Sequence, residues 1–247
     1  MKIHITLTAK DIHEVELIGK VAVVIDVLRA TSVIVTALSN GASWVKTVAS
    51  VEEAFQLKCP EVLLGGERHA LQIEGFDFSN SPLEYTPERV LNKGIVLTTT
   101  NGTLAVSKCG SADKLLIGSF LNQRVLANHL VALNQPVELI CAGTNGEFSL
   151  DDFLCAGLIC SSLQNSGEME FGDLGRLAVQ IWNQSGSNLH AALERTTHYN
   201  ILKSKGFQKD MDYCLTQDLC DILIGRNNST GVFEKLAWPA PATIWLT

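Results

Sequence analysis

VAVVIDVLRATSVI, residues 21–34, runs from five apolar residues into an acid, then to an arginine and a Thr-Ser pair. Val21–Ile25 shows no polar alternation, so it reads as a strand buried on both faces, the habit of parallel sheets. Ala30-Thr31-Ser32 then opens a stretch with helical spacing.

The same alternation recurs on either side. Trp44–Val48, Val62–Leu64, Ile95–Thr98, Leu115–Ile117 and Val137–Cys141 read as further strands. Ser32–Ser39, Val51–Leu57, Pro82–Leu91, Gly102–Ser107 and Asn122–Leu133 read as the helices between them. Strands alternating with helices predict βαβ units and an α/β fold on a mostly parallel sheet. From Leu150 the pattern becomes more helical, over Leu150–Leu163, Asp173–Gln184 and Leu189–Leu202, with short strands near Asp221–Ile224 and Val232–Leu236. A division at CGSAD, residues 109–113, would separate a first α/β lobe (1–112) carrying most site motifs from a second, more helical lobe (113–247). Trp238 and Pro239–Pro241 read as an anchored C-terminal edge.

The composition narrows the function. The chain has 247 residues, a formal net charge of −7, 46% hydrophobic and 18% charged residues. That supports a sizeable core and argues against disorder. Lys and Arg form no cluster, so a phosphate-tracking nucleic-acid interface is not expected. No apolar stretch approaches the ~20 residues that span a bilayer, and the N-terminal residues lack the apolar centre of a signal peptide. Seven cysteines without a C-x-x-C pair point to a reducing cytoplasm and away from structural zinc, with Cys141, Cys155 and Cys160 as core residues.

In open parallel sheets ligands bind beyond the carboxyl ends of the strands. Asp26 stands at such an end, where a carboxylate suits a hard cation or an attack on phosphorus. Arg29 can grip an oxyanion with two parallel N–H bonds, and Thr31 adds a hydroxyl at the helix start. A plainer reading makes Asp26 a helix cap paired with Arg29. Glu67 and Arg68 follow Gly65-Gly66 and lead through a long connection to Asn80 and Ser81, with Ser81 placed to cap a helix beginning at Pro82. Thr98–Thr100 end a strand before Asn101-Gly102, a tight turn for which Gly102 is expected to supply positive φ, and Thr103. Such a turn gathers hydroxyls and amides into an anion site over Thr99–Thr103, though threonines also suit strands. Asp151 and Asp152 sit in a first helical turn, where acids complement the macrodipole. Spacing does not say which of the two faces a cleft. His69, beside Glu67 and Arg68, could serve as an acid or base but reads first as a solvated loop histidine, and His190 and His198 read as surface or packing residues of a helix.

DVLRAT, GGER, GFDFSNSP, TTTNGT and CAGTNGEFSLDD together resemble the 2-phosphosulfolactate phosphatase family, in order over residues 21–160 and more weakly around Leu202–Asp212. Phe78-Ser79 departs from the smaller pair such a motif would carry. The resemblance implies a three-layer α/β/α fold. It also implies a Mg²⁺-dependent phosphatase that releases phosphate from 2-phosphosulfolactate to give sulfolactate, a step of coenzyme M biosynthesis. Carried over by position, it implies Asp26, Arg29 and Glu67 as catalytic residues, and Asp26, Glu67, Asp151 and Asp152 as metal ligands. Arg29, Thr31, Arg68, Asn80, Ser81, Thr99, Thr100, Asn101, Gly102 and Thr103 would bind substrate. The expected partner is a small anionic substrate, with neither nucleic acid nor membrane; a homodimer and the choice between Asp26 and water as nucleophile stay open. The alternatives are a non-catalytic anion-binding homologue and a phosphatase of a related phospho-hydroxy acid. Leu28, two positions after Asp26, argues against a haloacid-dehalogenase-type phosphatase, and no glycine-rich nucleotide motif is present.

Overall fold

The computed structural model describes residues 1–237; Trp238 and Pro239–Pro241 lie outside the described residues. In chain order the first elements are β1 (Lys2–Thr6), β2 (Val21–Ile25), α1 (Ala30–Ser39), β3 (Trp44–Thr47), α2 (Val51–Gln56), β4 (Val62–Arg68) and β5 (Leu71–Gln72). There follow α3 (Pro87–Val90), β6 (Gly94–Thr98), α4 (Gly102–Ser107), β7 (Lys114–Gly118), α5 (Gln123–Leu133), β8 (Val137–Cys141) and α6 (Leu150–Gln164). The last are β9 (Glu170–Phe171), α7 (Asp173–Ser185), α8 (Leu189–Leu193), α9 (Thr197–Ser204), α10 (Gln208–Cys214), β10 (Leu223–Arg226) and β11 (Phe233–Leu236).

β2 shows why its run is apolar throughout. Val21, Val23 and Ile25 enter one core with α5, α6 and α7, while Ala22 and Val24 enter a second core with α1 and α4. Helices cover both faces, so neither side of the strand can be polar. Each such side chain contributes about 1.5–3 kcal/mol on burial. The layers are α/β/α, as expected. Cys141, Cys155 and Cys160 lie in the first core.

Among the described residues the sheet has eleven strands in the order β5-β4-β6-β3-β11-β10-β7-β2-β8-β1-β9. Two parallel blocks, β4-β6-β3 and β7-β2-β8-β1-β9, flank the antiparallel hairpin β10–β11. The hairpin pairs antiparallel with β7 on one side and β3 on the other. Residues from 1–112 and from 113–247 therefore contribute to one sheet. No helix among the described residues is long and apolar enough to cross a membrane.

Two expected helices are interrupted. Pro82–Leu91 becomes a 3₁₀ turn at Pro82–Glu84 and the short α3, because Pro87 restarts the chain and cannot continue a helix from Tyr85. Leu189–Leu202 becomes α8 and α9, separated at Glu194–Thr196, where the Thr196 hydroxyl donates to the Leu193 carbonyl.

Candidate active site

Asp26 leaves β2 buried. Its Oδ1 accepts the Ala30 amide at 3.2 Å, so it does cap α1. Thr31 Oγ1 accepts from the Asp26 amide (3.1 Å) and donates to the Asp26 carbonyl (2.9 Å), which holds the strand end and commits that hydroxyl to the main chain. Asp26 Oδ2 takes no hydrogen bond among the described residues. Burial is the main force pushing the Asp26 carboxyl up to about 6; Asp151 and Glu67 add to it, and His198 opposes it.

Arg29, joined to Leu28 by a cis peptide bond, is buried and pairs with Asp210 of α10 rather than with Asp26. Its Nη2 donates to the Ala70 carbonyl at 3.3 Å, and its guanidinium lies 3.9 Å from the Phe207 ring centroid. Asp210 also accepts the Ser81 hydroxyl at 2.8 Å. Ser81 precedes Pro82 as expected, but its hydroxyl caps no helix; it steadies Asp210 instead.

Glu67, at the end of β4, takes the Thr100 amide (2.8 Å) and hydroxyl (2.9 Å) on Oε1 and the Ala70 amide (2.7 Å) on Oε2. It ties the loop after β4 to the turn after β6. Arg68 turns away, donating to the Glu67 carbonyl and the Thr98 hydroxyl. In the threonine turn, Thr99 and Thr103 cap each other: each amide donates to the other's hydroxyl, at 2.9 and 3.2 Å. These bonds and Glu67 absorb most of the turn's donors and leave the Asn101 and Gly102 amides without a partner among the described residues. Gly102 is not in the positive-φ region; it matters because a Cβ there would lie 2.7 Å from Asp26 Oδ2 and 2.7 Å from Ala30 Cβ. The glycine lets α4 press against the start of α1.

The adjacent acids of α6 diverge. Asp152 accepts the Val27 amide (2.8 Å) on one oxygen and the Gly143 amide (3.0 Å) on the other, joining the exits of β2 and β8. Burial, with Asp151 and Asp26 nearby, pushes its carboxyl well up. Asp151 Oδ1 accepts the Ser149 hydroxyl at 2.5 Å, and its Oδ2 lies 3.5 Å from His198 Nδ1. Burial pushes Asp151 up, but His198 and the Ser149 bond outweigh it and hold the carboxyl low.

These strand exits and α9 enclose a cavity of about 260 Å³. Asp26, Arg29, Glu67, Asn80, Thr99, Thr100 and Asn101 line it, together with Thr144, Asn145, His198 and Lys205. Of the residues expected from sequence, Thr31, Arg68, Ser81, Gly102, Thr103, Asp151 and Asp152 do not line it. Asn80 Oδ1 is buried with no hydrogen-bond partner among the described residues. That orphaned oxygen and Asp26 Oδ2 are hard donors in one cavity, and they fit Mg²⁺, which typically uses one or two carboxylates with water and substrate phosphate. Among the described residues no three His, Cys, Asp or Glu side chains gather into a metal-holding cluster.

Residues 6–228 match the family described as 2-phosphosulpholactate phosphatase. The chain belongs to that family. A protein of Clostridium perfringens (strain SM101 / Type A) named probable 2-phosphosulfolactate phosphatase is 47% identical over 234 residues, 92% of this chain and 94% of its own length. One from Clostridium novyi (strain NT) with the same name is 45% identical over 226 residues, 90% of this chain and 96% of its own. Members of the 2-phosphosulpholactate phosphatase family are phosphoric monoester hydrolases, so this chain is an enzyme of that class.

Sequence reasoning passed over Asp210, Lys205 and His198. Asp210 meets Arg29 from 181 residues away, and no local pattern announces that pairing. His198, Ile201, Leu202 and Lys205 do carry a signal. Their spacing puts a histidine, a lysine and two apolar groups on one side of α9 and its C-terminal end, and that side lines the cavity.

Proposed function

We propose that this enzyme hydrolyses 2-phosphosulfolactate to sulfolactate and inorganic phosphate with Mg²⁺ as cofactor. The observation that carries the reading is a buried carboxylate, Asp26, that lines a cavity with Arg29, Asn80 and the Thr99–Asn101 turn and keeps one oxygen without a hydrogen bond among the described residues. Relatives bearing the activity's name match the chain almost end to end.

With its carboxyl raised to about 6, Asp26 is ionised at neutral pH yet basic enough to take a proton from water or to attack phosphorus itself. Asn80 and Asp26 would hold the cation, which when bound supplies neutralisation of phosphoryl charge. The Asn101 amide, on the cavity wall, donates toward a phosphoryl oxygen. Arg29, held by Asp210 and stacked on Phe207, presents a planar fork suited to a second anionic group. Lys205 adds a cation on the cavity wall.

Phosphate release from 2-phosphosulfolactate, 2-phospholactate and 4-nitrophenyl phosphate tests the reading, in EDTA and after adding Mg²⁺ back. The sulfonate-bearing substrate is expected to have the highest kcat/KM, by about tenfold or more over 2-phospholactate, with activity lost in EDTA and restored by Mg²⁺. Equal rates for the two lactate esters would remove the substrate assignment. Full turnover in EDTA would remove the cofactor.

A further inference from the structure

α9 brings one ionisable ring into the cavity. His198 has a side chain only 15% exposed, and it lines the cavity with Asp26 and Arg29. Its Nδ1 faces Asp151 Oδ2 and Ser149 Oγ, each at 3.5 Å. Ser149 in turn donates to Asp151 Oδ1, so the carboxylate is fixed by one neighbour and turned to the ring by its other oxygen. Asp151 Oδ2 is buried and has no hydrogen-bond partner of its own. An unsatisfied buried carboxylate oxygen favours an N–H on the nitrogen that faces it. The ring's second nitrogen, Nε2, is left for the cavity.

We propose that His198 is a catalytic residue that protonates the leaving oxygen of the substrate. The inference rests on the phosphatase reading above. As the bond from phosphorus to the ester oxygen breaks, its electron pair goes to that oxygen, which takes the Nε2 proton and departs as the alcohol. The water that becomes part of the released phosphate gives its proton to Asp26, and the two groups reset through solvent, Asp26 losing one proton as the ring regains one. Asp151 is the positioning residue, holding the ring and stabilising its charged form.

His69 also lines the cavity, but it is exposed and its ring takes no hydrogen bond among the described residues, so nothing aims it at the leaving oxygen; the remaining groups do not serve this step. Asp26 is the basic partner, and both oxygens of Glu67 accept amide bonds. The Arg29 guanidinium does not give up a proton. Lys205 donates its ammonium to the His69 carbonyl. The charged groups that act on His198 are Asp151 of α6, Asp26 at the exit of β2 and Arg29 at the start of α1. Burial pushes the imidazole down, but Asp151 and Asp26 outweigh it and hold the ring's affinity for a proton above the ordinary value.

A leaving-group comparison separates this role from a structural one. Alkyl esters such as 2-phosphosulfolactate and glycerol 2-phosphate expel an alkoxide that needs a proton, whereas 4-nitrophenyl phosphate expels a stable phenolate. His198→Asn is expected to lower kcat about 10²–10⁴-fold on the alkyl esters and roughly tenfold or less on the aryl ester. Asp151→Asn, which leaves the ring in place, is expected to fall in the same direction by a smaller factor. Equal losses on alkyl and aryl esters would overturn the assignment, and if His198→Asn does not fold, the same comparison with Asp151→Asn decides. A wild type that ignores 2-phosphosulfolactate but cleaves glycerol 2-phosphate would refute the substrate reading alone. A wild type inert to every alkyl phosphate would refute both.

Discussion

Gly102→Ala adds a single methyl group at the junction of two helices. An ideal Cβ at Gly102 lies 2.7 Å from Ala30 Cβ, 2.7 Å from Asp26 Oδ2 and 3.4 Å from Asp26 Cβ. Non-bonded carbons settle at about 3.5–4.0 Å, so the new methyl overlaps its neighbours by about 1 Å. Neither neighbour has room, since Ala30 and Asp26 are both buried. Either α4 retreats or the Asp26 carboxylate swings off the Ala30 amide. Overpacking of this size costs about 1–3 kcal/mol, which at about 2–4 °C per kcal/mol lowers the melting temperature by about 2–12 °C. A shift of about 1 Å at the reacting group reduces kcat/KM about a hundredfold, or about 2.7 kcal/mol. The variant should therefore be folded at 25 °C and nearly inactive in phosphate release. Gly110→Ala, with nothing within 4 Å of its Cβ, is the matched control and should behave as wild type. Activity of Gly102→Ala within about threefold of wild type, with no change in melting, would refute the contact argument.

Asp26→Asn should abolish hydrolysis and yet stabilise the fold. Because the folded carboxyl is raised from 3.8 to about 6, the folded chain binds more protons than the unfolded one across that window, and stability is lost as pH rises through it. In EDTA at pH 7.5 the variant should be more stable by at most roughly 3 kcal/mol, with the gap closing toward pH 4; a variant less stable at pH 7.5 contradicts this. Arg29→Lys should raise KM because a lysine cannot hold the Asp210 pairing and the Phe207 stack, while Arg68→Lys, outside the cavity, should keep KM within about threefold. A KM raised equally by both would put Arg68 in the site. Asp152→Ala strands the Val27 and Gly143 amides and should cost about 2–5 kcal/mol in urea unfolding; an unchanged midpoint would show that water replaces the carboxylate.

Much of the fold is legible because its strands are buried on both faces and its turns are marked by Gly and Asn. β2 and β8 have the limits that their apolar runs suggest. The hairpin β10–β11 is legible only as two short strands. Its place between the two parallel blocks depends on pairings with residues more than a hundred positions away. The same limit hides part of the site. His198 reads as a surface residue while 189–202 is taken as one helix. Once α8 and α9 part at Glu194–Thr196, its ring faces Asp151. Ser81 looks like a cap because it precedes Pro82, and only the fold reveals Asp210 as its acceptor.

The buried acids show why residue type alone could not rank the candidates. Around this cavity Asp152 is held by two amides, Glu67 by two amides and a hydroxyl, and Asp210 by Arg29 and Ser81. Asp151 is held by Ser149 and turned to His198. Each of these carboxyl groups is held in place by hydrogen bonds or an ion pair from fixed neighbours, as burial of a polar group requires. Asp26 differs in keeping one oxygen open toward the cavity, between the starts of α1 and α4. Consecutive residues on a helix point about 100° apart, so Asp151 and Asp152 could not both face the same place. One goes to the strand exits and the other to the histidine. The cluster of acids in the sequence thus divides into those that build the cavity and one that is left to react in it.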